Sequence, residues 1–117
     1  MKSFPEQVAD AKQRIREVSP ADVQAMQARG EPVTVVDVRE DAEWAAGHLP
    51  GAVHVPRGRL EAEAAAQIPR DRPTVVYCAA GGRSALAADA LQQMGYADVV
   101  SMRGGIGAWA DAGGEIE

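Results

Sequence analysis

One cysteine stands in this chain, and its neighbours are residues that make a thiol reactive. Cys78 follows the apolar run Thr74-Val75-Val76-Tyr77 and opens the stretch Cys78-Ala79-Ala80-Gly81-Gly82-Arg83-Ser84, after which a helical pattern begins. The thiolate is the nucleophilic form, and a free cysteine with a pKa of about 8.5 is only a few per cent ionised near neutrality. Cysteines at helix N-termini or beside Arg fall to about 3.5–7.5. Glycines at 81 and 82 permit positive φ, so that successive N–H groups turn inward into an anion-binding concavity. The spacing predicts a cradle of N–H groups from Ala79 to Ser84, with Cys78 Sγ at its floor and Arg83 its only cation. The competing reading is a small buried cysteine ending a strand. The unbroken order of strand, cysteine, small residues, two glycines, arginine and helix favours the chemical one.

The elements that must position this loop are legible as alternating patterns. Glu6 to Arg14, with Val8, Ala11 and Ile15 at helical spacing, reads as an amphipathic helix, and Ile15 to Val18 as a short edge strand. Ser19-Pro20-Ala21-Asp22 is a helix start, with Ser as N-cap and Pro at the first position, running to about Arg29 before Gly30. Val33 to Val38 is nearly continuous in apolarity, as in a parallel strand covered on both faces. Ala42 to Ala46 makes a helical turn with Trp44 facing inward, Ala52 to Val55 a short strand, and Leu60 to Ile68 a helix ended by Pro69. After the Cys78 strand come a helix from Ser84 to Met94 capped by Gly95, a strand from Asp98 to Met102, and a helix from Gly104 to Ala112 anchored by Ile106 and Trp109. Strands alternating with helices predict an α/β fold, a mostly parallel sheet between two helical layers. In such sheets ligands bind at the carboxyl ends of the strands, where Cys78 falls.

The chain has 117 residues, 46% of them apolar and 25% charged, which is the composition of one ordinary globular domain. One cysteine forms no internal disulfide, which fits a reducing compartment. A net charge of −5 and a pI near 5.0 argue against nucleic acid or an anionic membrane as partner, and require any anionic substrate to be attracted locally. No stretch has the apolar length of a secretory signal or a membrane span, so the expected location is cytoplasmic.

Smaller motifs have simpler readings. Gly105-Ile106-Gly107-Ala108-Trp109-Ala110 fits the dinucleotide pattern GxGxxA, but no second strand and acid follow it, so it reads as a helix start and no cofactor is expected. His48 and His54 lack ligand-spaced partners, so no metal is expected and both read as structural or surface residues. Trp44 and Trp109 read as core. Asp37 and Arg39 end a strand on the same side as Cys78 and read as a structural pair tying loops together.

Taken together, Asp37-Val38-Arg39-Glu40, Glu43-Trp44, Gly47-His48-Leu49-Pro50-Gly51-Ala52, the loop Cys78 to Ser84, and Gly104-Gly105-Ile106 with Trp109 resemble the rhodanese family of sulfurtransferases, in the family's order and over about Ile15 to Ala112. The resemblance implies a single rhodanese-like domain with three α/β/α layers and a five-stranded sheet; the helical pattern that precedes the match sets residues 1–14 apart as an extension packed on a domain of residues 15–117. It also implies double displacement: Cys78 takes the outer sulfur of a donor such as thiosulfate as a persulfide and gives it to cyanide or a thiol. Ala79, Ala80, Gly81, Gly82, Arg83 and Ser84 then bind substrate, with Arg83 holding the donor's oxygens or bracing the loop. By analogy with the family, Arg57 and Arg59 stand at the rim, against the alternative of a solvated surface. The acceptor must come from outside, because the chain has no second cysteine.

A second reading is a sulfur carrier or interaction module that accepts persulfide from a partner protein and passes it to another. Cysteine phosphatases and arsenate reductases have Cys, five residues, then Arg. Here four residues intervene, a tighter ring suited to one transferred sulfur.

Overall fold

The computed structural model describes all residues, 1–117, and its five strands form one parallel sheet in the order β1-β5-β4-β2-β3. The strands are β1 (Arg16–Val18), β2 (Thr34–Asp37), β3 (Val53–His54), β4 (Thr74–Tyr77) and β5 (Val99–Met102). Between and around them run α1 (Phe4–Lys12), α2 (Pro20–Ala28), α3 (Asp41–Ala45), α4 (Leu60–Gln67), α5 (Gly82–Gln93) and α6 (Gly105–Asp111). The sheet is parallel throughout, and its centre, β4, pairs with β2 (Val36 beside Val76) and with β5 (Val76 beside Ser101).

Alternation along β2 and β4 divides the core into two. Val36, Val38, Val76 and Cys78 face one way and pack with Leu60, Ala64 and Ile68 at α4 and Ala87, Ala88 and Leu91 of α5. Val35, Val75 and Tyr77 face the other way, with Val100 and Met102, against Val23 of α2, Leu49 and Trp109 of α6. Both faces are covered, so β2 and β4 are fully buried along their length. That is why their sequence is continuously apolar instead of alternating.

The first helix begins earlier than its periodicity indicates. Ser3 and Glu6 form a capping box, the Ser3 hydroxyl accepting from the Glu6 N–H and the Glu6 carboxylate from the Ser3 N–H, with Pro5 in the first turn. α1 then packs along α5: Phe4 and Val8 lie against Gly82, and Arg14, just beyond the helix, pairs with Asp89 at 2.8 Å.

Trp44 also differs from expectation. It is half-buried, not core, and its indole stacks on His48, with ring centroids 3.5 Å apart, and on His54 at 4.8 Å. Both imidazoles are tied to backbone: His48 Nδ1 donates to the Trp44 carbonyl and His54 Nε2 to the Arg39 carbonyl. α3 has no buried residue, so this stack holds it to the domain.

Candidate active site

β4 delivers Cys78 to the carboxyl edge of the sheet, and the chain turns at Gly81, whose φ of +107° is a left-handed conformation natural to glycine, directly into α5. The turn folds N–H groups back over the sulfur. Gly81 N–H donates to Cys78 Sγ at 3.0 Å and Ser84 N–H at 3.4 Å, with Ser84 Oγ 3.5 Å away. The N–H groups of Ala79, Gly82 and Arg83 make no bond to it. Burial pushes the Cys78 thiol up, but the Ser84 hydroxyl and N–H, with the N–H groups of Gly81 and Ala80, outweigh it and hold the thiol below its ordinary pKa. The residue is only 1% exposed, with Sγ at the floor of the ring.

A second group reaches the sulfur through Ser84. Ser84 Oγ is 2.8 Å from Ser101 Oγ, and both residues are fully buried. With Cys78 ionised, Ser101 donates to Ser84 and Ser84 donates to the sulfur, a two-hydroxyl chain ending on the anion. The sequence carried a signal for this, a serine inside the apolar run Val99 to Met102. Ser101→Ala should slow alkylation of Cys78 by about 2–10-fold, the worth of one net hydrogen bond, and shift the acid limb of its pH profile upward. In the native chain that limb should lie below the pH at which the thiol titrates in the unfolded protein.

The outer side of the ring is held by α6. Ile106 N–H donates to the Cys78 carbonyl at 2.9 Å and Gly107 N–H to the Ala79 carbonyl at 3.3 Å, which orients the first peptides of the loop. Gly105 makes that approach achievable: its φ is +59°, and a Cβ there would overlap the carbonyls of Cys78 and Ala79. Gly105→Ala should therefore cost about 1–3 kcal/mol of stability by overpacking, read as a lowered urea midpoint, and slow Cys78 alkylation.

The predicted ion pair at the end of β2 is fully inside. Asp37 is 0% exposed and Arg39 6%. Arg39 Nε lies 3.0 and 3.1 Å from the two Asp37 oxygens, Nη2 donates to Oδ2 at 2.7 Å, and Nη2 also reaches the Gly47 carbonyl. Tyr77 completes the cluster: its hydroxyl donates to Asp37 Oδ2 at 2.6 Å and accepts from the Leu49 N–H. Tyr77 was legible only as an apolar strand residue.

The three arginines read as substrate-binding, Arg83, Arg57 and Arg59, are each engaged by a carboxylate. Arg83 Nη1 and Nη2 bond Glu43 Oε1 and Oε2 at 2.7 and 2.9 Å, a fork-to-fork pair. The Arg83 guanidinium lowers Glu43 to about 2. Sequence reading gave Glu43 no role. Arg57 and Arg59 lie on a one-turn 3-10 helix after β3; Arg57 bonds Glu61 at 2.9 Å and Arg59 bonds Glu63 at 2.8 Å, with Asp41 3.8 Å away. Two surface clefts, of about 530 Å³ beside Val33 and Trp109 and about 550 Å³ beside Ile15 and Val99, do not include Cys78 in their lining.

Comparison with known proteins agrees with this geometry. The family model for the rhodanese-like domain matches residues 19–112. A protein named sulfurtransferase from Allochromatium vinosum is 43% identical over 83 residues, covering 71% of this chain and 77% of its own length. The probable adenylyltransferase/sulfurtransferase MoeZ of Mycobacterium tuberculosis is 36% identical over 94 residues; these span 80% of this chain but 24% of that protein. A solved structure from Rhodopseudomonas palustris, described as a protein of unknown function and possible tyrosine phosphatase, superposes with a TM-score of 0.91 at 37% identity, covering 100% of this chain and 96% of its own. No helix is long and apolar enough to cross a membrane. With the match running from the second helix to the last, and the cysteine loop seated where the parallel sheet ends, this chain belongs to the rhodanese-like domain family.

Proposed function

We propose that the chain is a sulfurtransferase that moves sulfane sulfur from a donor such as thiosulfate to cyanide or a thiol, with Cys78 as the catalytic nucleophile and a persulfide as the intermediate. The observation that carries this reading is the ring of N–H donors on Cys78 Sγ. The thiolate attacks the outer sulfur, the new S–S bond forms as the old one breaks, and the electron pair leaves with sulfite. The acceptor then takes the outer sulfur and returns Cys78 to the thiolate. Backbone N–H groups at fixed positions stabilise the anions of both halves without reorganising. The residue is 1% exposed, so the donor must present its sulfur end-on into the ring.

In this reading Ala79 to Ser84 form the substrate-binding ring, Asp37 and Arg39 brace it, and Arg57 and Arg59 stand near the rim. Residues 1–14 are a helical extension docked on a sulfurtransferase domain of residues 15–117. A thiolate that must stay reduced belongs in a reducing, cytoplasmic compartment. Four residues between Cys78 and Arg83, and a guanidinium already paired with Glu43, disfavour a phosphatase or arsenate reductase.

The test is turnover of thiosulfate and cyanide, followed as thiocyanate, with the mass of the intact protein after donor alone. Turnover with a gain of one sulfur atom supports the enzyme. Sulfur gained only from a persulfide-forming partner protein, without turnover, makes the chain a carrier. No sulfur gained from either source overturns both.

A further inference from the structure

The Glu43–Arg83 pair bears on which donors the site accepts, an inference that rests on reading Cys78 as the sulfur-accepting nucleophile. Arg83 is the only cation in the ring, and both of its terminal nitrogens are held by one carboxylate. That carboxylate is itself fixed, because Glu43 Oε1 accepts the Glu40 N–H at 2.9 Å in the first turn of α3. The neighbouring guanidiniums are occupied as well: Arg39 by Asp37, Arg57 by Glu61, Arg59 by Glu63. Glu40, exposed and in no ion pair, adds negative charge at the start of α3, on a chain of net charge −5.

Two donors meet this surface differently. Thiosulfate carries two charges and three oxygens that need donors beyond the sulfur ring. Its reaction brings three negative charges together: the thiolate and S–SO3 dianion become the Cys78 persulfide anion and a sulfite dianion. A thiol persulfide R–S–SH needs no oxyanion site. Cys78 Sγ bonds its terminal sulfur, the S–S bond breaks, the pair leaves on the thiolate R–S⁻, and the proton stays on the transferred sulfur. Neither step needs an outside oxidant or reductant.

We propose that Glu43 is a specificity-determining residue: by holding Arg83 it withholds the ring's one cation from donor oxyanions and tilts the site toward thiol persulfides over thiosulfate. Glu43→Gln is the informative change, since a glutamine keeps an acceptor for the Glu40 N–H while losing the charge and one arm of the fork. The measurement is the single-turnover rate at which Cys78 gains sulfur, by intact mass, from thiosulfate and from glutathione persulfide separately.

The thiosulfate-to-persulfide rate ratio should rise about tenfold in Glu43→Gln, on the scale of one charge-assisted hydrogen bond released to the donor, and the gain should vanish in Glu43→Gln/Arg83→Met. An unchanged or lower ratio overturns the proposal. If Glu43→Gln melts before assay, Glu43→Asp, too short to span both nitrogens, decides in the same way. Salt gives a readout without any variant: loading of the native chain by thiosulfate should quicken as salt screens the repulsion, and slowing with salt overturns the proposal. Wild-type Cys78 that gains sulfur from neither small donor refutes the reading of the chain as an enzyme acting on such donors, and the specificity role with it. Loading from both, with a ratio insensitive to Glu43, refutes only the specificity role.

Discussion

Cys78→Ser is expected to abolish sulfur acquisition and to lower any donor turnover by about 10³-fold or more, the scale seen when a covalent nucleophile is removed. A hydroxyl at this position keeps nearly the same volume and can still accept from the Gly81 and Ser84 N–H groups. Its far higher pKa, however, leaves no anion at neutral pH, and the ring has no general base to make one. The thermal midpoint should stay close to that of the native chain, because the core cluster containing Cys78 loses little volume. Intact mass after incubation with donor is the direct check: the native chain gains one sulfur atom and the variant none. Near-native turnover in the variant would remove Cys78 from the reaction.

The largest loss of stability is expected at Asp37, which lies below the site and touches no substrate. Asp37→Ala strands the Arg39 guanidinium, 6% exposed, without its carboxylate, and deprives the Tyr77 hydroxyl of its acceptor. Breaking a buried pair from one side costs about 3–5 kcal/mol, because the remaining charge stays desolvated. Against a total stability of about 5–15 kcal/mol for a domain, that is enough to unfold a substantial fraction of the chain. Urea unfolding should show the midpoint falling with the slope retained. The double change Asp37→Ala/Arg39→Met, which removes the stranded charge, should recover much of the loss. A loss in the single variant below about 1 kcal/mol would mean that solvent reaches Arg39.

The parts of the site made by neighbours in sequence were legible. Gly81 turns because glycine tolerates φ of +107°, α5 starts within the loop, and Cys78 ends a buried strand; each follows from residues a few positions apart. The pairing of Asp37 with Arg39, two residues apart on one strand end, is of the same kind. Periodicity starts α1 at Glu6, whereas its true start is set by the Ser3–Glu6 capping box, a signal that carries no period. Hydrophobicity alone places Trp44 in the core, whereas its indole stacks on His48, four residues onward, and on His54, which the pairing of β3 with β2 brings to it.

What the sequence determined by itself is the reacting atom and the backbone turn that surrounds it, since strand, glycine turn and helix start are set by local propensities and by φ. What the tertiary structure decided is the charge and the hydroxyl that the atom meets. Glu43 and Arg83 are 40 positions apart, and Ser84 and Ser101 are 17 apart. They meet because the sheet order sets β4 between β2 and β5, bringing α3, α5 and β5 to the same end of the molecule. Long-range pairing of this kind depends on which strand ends are neighbours, and no local pattern of residues encodes that.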